Sequence, residues 1–441
     1  MAEFHEKVLK KLMEKGVEEA IVILRSVERN CIRYANNEPT VAFSQAIDIL
    51  TIYSSIMERS FLGSFENVSE GFIEKIVDDV VTMTKNSPPS PYYTQIPRGP
   101  FSYRSGKRVE RRMGKLDEQL VSYVSEAVKA SREAGAERSA GIIYSEYQEE
   151  KLASSTGLNL REEASSITLN HRAFASPEAT GQWVSCSTAL REFDLYDAGK
   201  RAGEIARMSL NPVLIDEGTY DVYMGPLIFA NMMSEVAGFA SGFFVQIDMS
   251  FLTGKLGEKV GSEELTIIDD PTMPQGLGEK VFDDEGMPTQ RTVIIEKGLL
   301  KNYLHNSRTA KVAGASSTGN AGIIYPHPWN IVVEPGSMKE EDMLHKLGRG
   351  LYLTNCWYTR YQNYRTGDFS TIVRDGAFYV EDGEVKRAVK GCRISDNLQR
   401  VISSIEALSD RLYPIKWWEV EVPTYVPAAI IRNVKITRAF G

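Results

Sequence analysis

Histidine and cysteine, the residues that most often hold transition metals, are scarce: five histidines and four cysteines in 441 residues. No two of His5, His171, His305, His327 and His345 stand at i, i+4, and Cys31, Cys186, Cys356 and Cys392 form no CxxC pair. A zinc site legible from local spacing is therefore absent, and scattered thiols predict buried free cysteines in a reducing compartment. No uncharged apolar run reaches the roughly 18 residues of a membrane span. Residues 222–234 and 236–247 come nearest, and Glu235 divides them. The opening MAEFHEKVLKKLMEK lacks the apolar stretch of a secretory signal, so the expected location is the cytoplasm, away from membranes. Fifty-one basic residues against 59 acidic ones give a net charge of −8, which argues against direct nucleic-acid binding. Neither the GxSxG of serine hydrolases nor the GxxxxGK[ST] of phosphate loops occurs.

What is present is a globular composition, 42% apolar and 25% charged, in a chain long enough for two or more domains. Phe4, Val8, Leu9 and Leu12 predict a helix over 4–14 stopped by Gly16. Strand-like runs follow at Ala20–Val27, Cys31–Asn36, Ala46–Ser55 and Phe61–Phe65, then a helix over Glu70–Lys85. The proline-rich Ser87–Pro100 reads as an extended connector. Glu133–Gly157 then echoes Glu14–Glu38 at an offset of 119 residues, with a helix end, a glycine stop and paired strands in each. This predicts a duplicated α+β unit, about 1–86 and 115–190, within an N-terminal region 1–195. A helix near Asp197–Met208 would link it to a C-terminal domain, 196–441. There the strand-like runs are Tyr220–Met224, Leu265–Asp269, Thr292–Glu296, Asn330–Val333, Gly350–Thr354, Ala377–Val380 and Ala428–Thr437. Two helices, Pro226–Ala240 and Asp396–Leu408, interrupt them.

The helix after Pro226 is organised about two faces. Ile228, Phe229, Met232, Met233, Val236, Ala237 and Ala240 form an apolar stripe, and Asn231, Ser234, Glu235 and Gly238 fall opposite. In zinc-peptidase helices two histidines hold the metal and the glutamate beside the first is the general base; here the corresponding positions are Ser234 and Phe239. The glutamate is present and the ligands are not. The Gly-rich His305–Gly322 offers a backbone nest for a carboxylate or phosphate, with His305, Arg308 and Asn320 as possible substrate or partner contacts; runs of this kind are more often plain turn-rich loops. Asp368 either closes a turn or pairs with Glu235 in acid–base chemistry.

Several of these stretches resemble the TldD/PmbA family, known first as modulators of DNA gyrase and then as peptide-processing metallopeptidases. RYANNEPT (Arg33–Thr40), FLTGKLGEKVGSEELTIIDDP (Phe251–Pro271), the long run Phe282–Gly322, GLYLTNCWYTRYQNYRTGDFS (Gly350–Ser370) and VEDGEVKRAVKGCRISDNL (Val380–Leu398) carry the resemblance in order over nearly the whole chain. It implies an α+β fold: duplicated N-terminal subdomains followed by a large curved β-rich domain. It also implies two subunit types. The TldD type carries HExxxH and a late cysteine as zinc ligands; the PmbA type, also called TldE, lacks them and completes a heterodimer. SEVAGF (Ser234–Phe239) stands in the motif's position and no cysteine follows Cys392, so this chain resembles the PmbA type. The expectations that follow are no metal and no catalytic residue in this chain, zinc in a TldD-type partner, and unfolded or modified peptides as substrates. The alternatives are a homodimeric hydrolase using Glu235, with Asp368, His305 or a metal, and a regulatory binding protein without catalysis.

Overall fold

A computed structural model describes residues 3–105, 107–322 and 324–439. Six strands, β1 (Glu19–Ala35), β2 (Glu38–Ile56), β3 (Arg59–Glu66), β4 (Arg138–Ser154), β5 (Asn159–Phe174) and β6 (Thr180–Ser187), form one antiparallel sheet in the order β3-β2-β1-β4-β5-β6. Helices α1 (Phe4–Glu14), α2 (Ile73–Asn86), α3 (Asp117–Glu133) and α4 (Leu195–Met208) flank it in sequence so that αβββα occurs twice. The 119-residue offset carries Glu19–Ala35 onto Arg138–Ser154, and Gly16 and Gly135 both end their helices at positive φ, 87° and 112°. The equivalent strands β1 and β4 pair antiparallel, Ile21 opposite Ser154 through Tyr34 opposite Gly141, so the two units meet about a local two-fold axis.

The units differ in what they bury. Val8 and Leu12 of α1, Ile52 of β2 and Val77 and Val80 of α2 close a small separate core. The second unit's Val124, Ala202 and Ile205 belong to the main core, which runs on into the C-terminal domain. Helix α4, expected as a link, packs on α3, β5 and β6 and completes the second unit. Gly199 and Gly203 allow this: a Cβ at Gly199 would lie 2.2 Å from the Ala127 carbonyl oxygen.

The two runs expected at Ala20–Val27 and Cys31–Asn36 are one 17-residue strand. The polar Glu28-Arg29-Asn30 interrupts the apolar pattern but not the ladder, because Arg29 lies opposite Gln45 on one side and Glu146 on the other. Its guanidinium donates to the Glu146 carboxylate across the strands (2.6 Å), a favourable cross-strand pair.

The C-terminal half contributes β7 (Val213–Leu214), β8 (Gly218–Met224), β9 (Ile267–Asp269), β10 (Thr292–Glu296), β11 (Leu299–Leu300), β12 (Ile331–Val333), β13 (Gly350–Asn363), β14 (Asp368–Glu381), β15 (Glu384–Lys390), β16 (Cys392–Asn397), β17 (Ile405–Leu408), β18 (Tyr413–Trp417), β19 (Val420–Val426) and β20 (Ala429–Arg438). One sheet runs β13-β8-β20-β16-β14-β15-β7, and β13 also pairs with β14. That extra pairing closes five strands on themselves and accounts for the curvature, since closure removes open edges. The other sheet runs β11-β10-β9-β12-β19-β18. Between them lies α5 (Pro226–Phe239), packed on β13 and β19. Shorter helices are α6 (Gly242–Gln246), α7 (Ser307–Ala313), α8 (Met343–Leu347) and α9 (Leu398–Ser403).

The helix expected over Asp396–Leu408 is a correction. Asn397 caps α9 by accepting from the Arg400 N–H (3.1 Å), and after Ser404 the chain straightens so that Ile405–Leu408 pairs with β20. Its apolar residues are claimed by a sheet rather than by a continued helix turn.

Candidate functional site

Helix α5 starts with Pro226 in its first turn, where proline's missing N–H costs nothing. It is buried nearly all round, as expected of a helix between two sheets. Ser234, Glu235 and Gly238 break that pattern and open onto a cleft of about 500 Å³. The opposite wall comes from the two-residue turn Trp418–Glu419 between β18 and β19, from Glu421, and from Thr359, Arg360 and Tyr364 at the end of β13. The turn is tied to the helix: the Asn231 side-chain amide donates to the Glu419 carbonyl (2.9 Å). The Glu419 carboxylate in turn accepts from the Tyr358 N–H (2.6 Å), at a bulge where Tyr358 takes φ of 61°.

Burial pushes the Glu235 carboxyl up to about 7; the Tyr361 hydroxyl opposes this, and the charges of Glu419 and Glu421 add to it. Burial raises Glu419 as well. A carboxyl that titrates near neutral pH can donate or accept a proton, so the cleft has acid–base capacity. It does not have the donor set of a zinc centre. The Ser234 hydroxyl is spent on the Asn231 carbonyl (2.9 Å). The Phe239 ring stands edge-on to Phe251 and Tyr361, centroids 5.2 and 5.0 Å away. Cys356, beneath the cleft, donates to the Asn231 side-chain oxygen (3.5 Å), and burial pushes its thiol up to about 12, far from the thiolate a metal requires. Among the described residues no three His, Cys, Asp or Glu side chains group closely enough to hold a metal.

The remaining sequence candidates lie outside the cleft's lining. His305 is buried, its Nδ1 3.1 Å from the Thr309 hydroxyl, and burial lowers its pKa. The Arg308 guanidinium stands 5.5 Å over the Phe243 ring and donates to the Ile324 carbonyl. Asp368 accepts from Thr366 (2.6 Å) and Asn397 (2.9 Å), and these bonds lower its pKa; it closes the turn before β14. Asn320 donates to Asp269 (2.5 Å) and to the His327 carbonyl (3.1 Å). Asp269 also accepts from the Trp329 and Asn330 N–H groups, both at 2.8 Å, and burial pushes it up to about 7. The nest expected in the Gly-rich loop is filled by the chain itself, since the Ala321 N–H donates to Asp283 (3.0 Å).

Glu235 is thus brought together with Tyr361, Trp418, Glu419 and Glu421, which sequence reasoning did not single out. The signal was KWWEVE (Lys416–Glu421), two adjacent indoles and two alternating acids in a region left unassigned.

A second polar cluster joins the domains. Lys280 donates to Glu150 of β4 and Glu162 of β5, each at 2.9 Å, and Arg25 of β1 reaches Asp284 (2.6 Å). Burial would raise Glu150, but Lys280 and Arg25 outweigh it and hold its carboxyl down at about 2.

Residues 217–438 match the PmbA/TldA metallopeptidase C-terminal domain and residues 115–210 the central domain of the same family. The chain is 35% identical over 179 residues to metalloprotease PmbA of Escherichia coli O157:H7, covering 40% of this chain and 38% of that protein. It is 31% identical over 232 residues to a metalloprotease of Methanothermobacter thermautotrophicus, covering 50% and 49%. The chain spans about half the length of the curated relatives it matches. The fold matches that of TldE from Thermococcus kodakarensis over 98% of this chain and 99% of that one, with a TM-score of 0.88 at 22% identity. With more than half of its length inside the two matched domains, the chain belongs to the PmbA/TldD metallopeptidase family.

Proposed function

We propose that this chain is the non-catalytic, TldE/PmbA-type subunit of a cytoplasmic two-subunit metallopeptidase. It shapes the chamber and holds an unfolded or modified peptide, while an HExxxH-bearing paralogue supplies the zinc and the chemistry. The observation that carries this is the pairing of Glu235 with Ser234 and Phe239. A general-base glutamate needs a metal-bound water to deprotonate, and the flanking positions present an engaged hydroxyl and a packed ring. The likeness of the fold to TldE supports the same assignment.

A second reading rests on the raised pKa of Glu235 beside Glu419: an autonomous hydrolase using a carboxyl pair. One experiment separates them. Zinc content and cleavage of an unstructured peptide are measured for the purified chain, for its complex with the paralogue, and for Glu235→Gln in both. The subunit role requires an inert, zinc-poor lone chain, an active zinc-bearing complex, and little loss from Glu235→Gln. Cleavage by the lone chain that disappears in Glu235→Gln overturns it in favour of the hydrolase.

A further inference from the structure

Two clefts share one residue. Trp418 lines the Glu235 cleft and also a second cleft of about 460 Å³, where the β1–β2 turn, β4 and β5 face Trp357. The indole has little freedom: it stands edge-on to Trp357 (5.4 Å between ring centroids, 85°) and Trp417 (5.4 Å, 76°) and lies 5.5 Å from Tyr358. Trp357 is itself locked, donating to the Gln182 side-chain oxygen (3.1 Å) with the guanidinium of Arg172 4.9 Å from its ring. Even so, Trp418 is 46% exposed. A rigid indole held half in water between two clefts is a preformed contact surface.

The clefts carry opposite charge. The first sets Glu235, Glu419 and Glu421 against a single arginine, Arg360. The second is lined by Arg33 and Arg172 and by no carboxylate. Arg172 is neutralised from behind by Asp375 (2.6 Å). Arg33 is exposed, and its guanidinium has no ion-pair partner among the described residues.

We infer that the two clefts bind one extended peptide in one direction: its cationic end against Glu421, its middle stacked on Trp418, and its carboxylate-bearing end on Arg33. Guanidinium matches the planar carboxylate in a two-point hydrogen bond, and the acidic cleft favours an ammonium, so reversing the peptide places like charges together at both ends. The inference rests on the subunit reading only in taking a peptide as the ligand.

The test uses a fluorescent unstructured octapeptide with lysines at its amino end and a free carboxyl terminus, its amidated form, and a charge-reversed form. Binding is followed by anisotropy on the lone chain and on its complex with the paralogue. Trp418→Ala is expected to weaken the parent peptide by on the order of tenfold, one stacking contact. Arg33→Ala is expected to weaken it by a similar factor and to leave the amidated peptide unchanged, and Glu421→Gln to act on the lysine end alone. Equal affinity for parent and reversed peptides, or an Arg33→Ala loss that persists in the amidated form, overturns the inference. So does a complex that cleaves the peptide while the lone chain binds none of the three, an outcome that leaves the subunit reading intact. Cleavage by the lone chain sinks the subunit reading, and the charge preference of binding is then read on Glu235→Gln.

Discussion

Glu235 is the residue whose energetics can be worked furthest. Its carboxyl titrates at about 7 in the fold against 4.5 for the free group. Because the folded value is the higher one, the native protein keeps the proton over a range in which the unfolded chain releases it. Stability is therefore lost as the pH rises from about 4.5 to 7, by about 3 kcal/mol in all. Glutamine has the same shape and no proton to release. Glu235→Gln is expected to match the parent below about pH 4.5 and to be more stable by about 3 kcal/mol at pH 8. The assay is urea denaturation of both proteins across pH 5 to 8, followed by tryptophan fluorescence and circular dichroism together to test for a single transition. Asp269, Asp283, Asp284 and Glu285 are also raised, mainly by burial, and contribute the same sign in both proteins, so the difference isolates Glu235. A variant that is less stable at pH 8, or a difference independent of pH, refutes the account of a desolvated carboxyl.

Lys280→Met removes the cation that Glu150 and Glu162 share, leaving Glu150 to Arg25 alone and Glu162 to Lys107, and is expected to cost about 3 kcal/mol at pH 7; thermal melting should show the loss shrinking in acid as Glu150 protonates. Asn320→Ala removes a donor from buried Asp269 and should destabilise by about 2 kcal/mol, more at pH 8 than at pH 6, because the charged form of Asp269 is the one that needs the bond. Gly199→Ala drives a methyl into the Ala127 backbone and should cost about 1–3 kcal/mol. Gly238→Ala, with nothing within 4 Å of the added carbon, should stabilise α5 by up to about 1 kcal/mol; urea midpoints in the opposite order would contradict the packing described.

The sequence by itself determined the local units. The 3.6-residue periodicity of Val8 and Leu12, or of Ile76, Val77 and Val80, specifies a helix wherever it lies, and the echo at 119 residues marks the repeated unit because both copies solve the same local packing. The resemblance carried the family and the curved C-terminal fold. Glu235 was visible because it alone interrupts an apolar run, and the altered motif around it because Ser234 and Phe239 are neighbours in the chain. The tertiary structure alone decided what Glu235 faces. The Trp418–Glu419 turn contains no glycine, proline or asparagine to announce it, and its distance from α5 is closed by β-pairing across two sheets. The same long-range pairing turned Ile405–Leu408 from helix to strand and filled the Gly-rich nest with Asp283. It also set Arg33, near the start of the chain, across Trp418 from Glu421. Periodicity and turn chemistry act over a few residues, whereas a cleft and its charge are sums over segments that meet only when the sheets close.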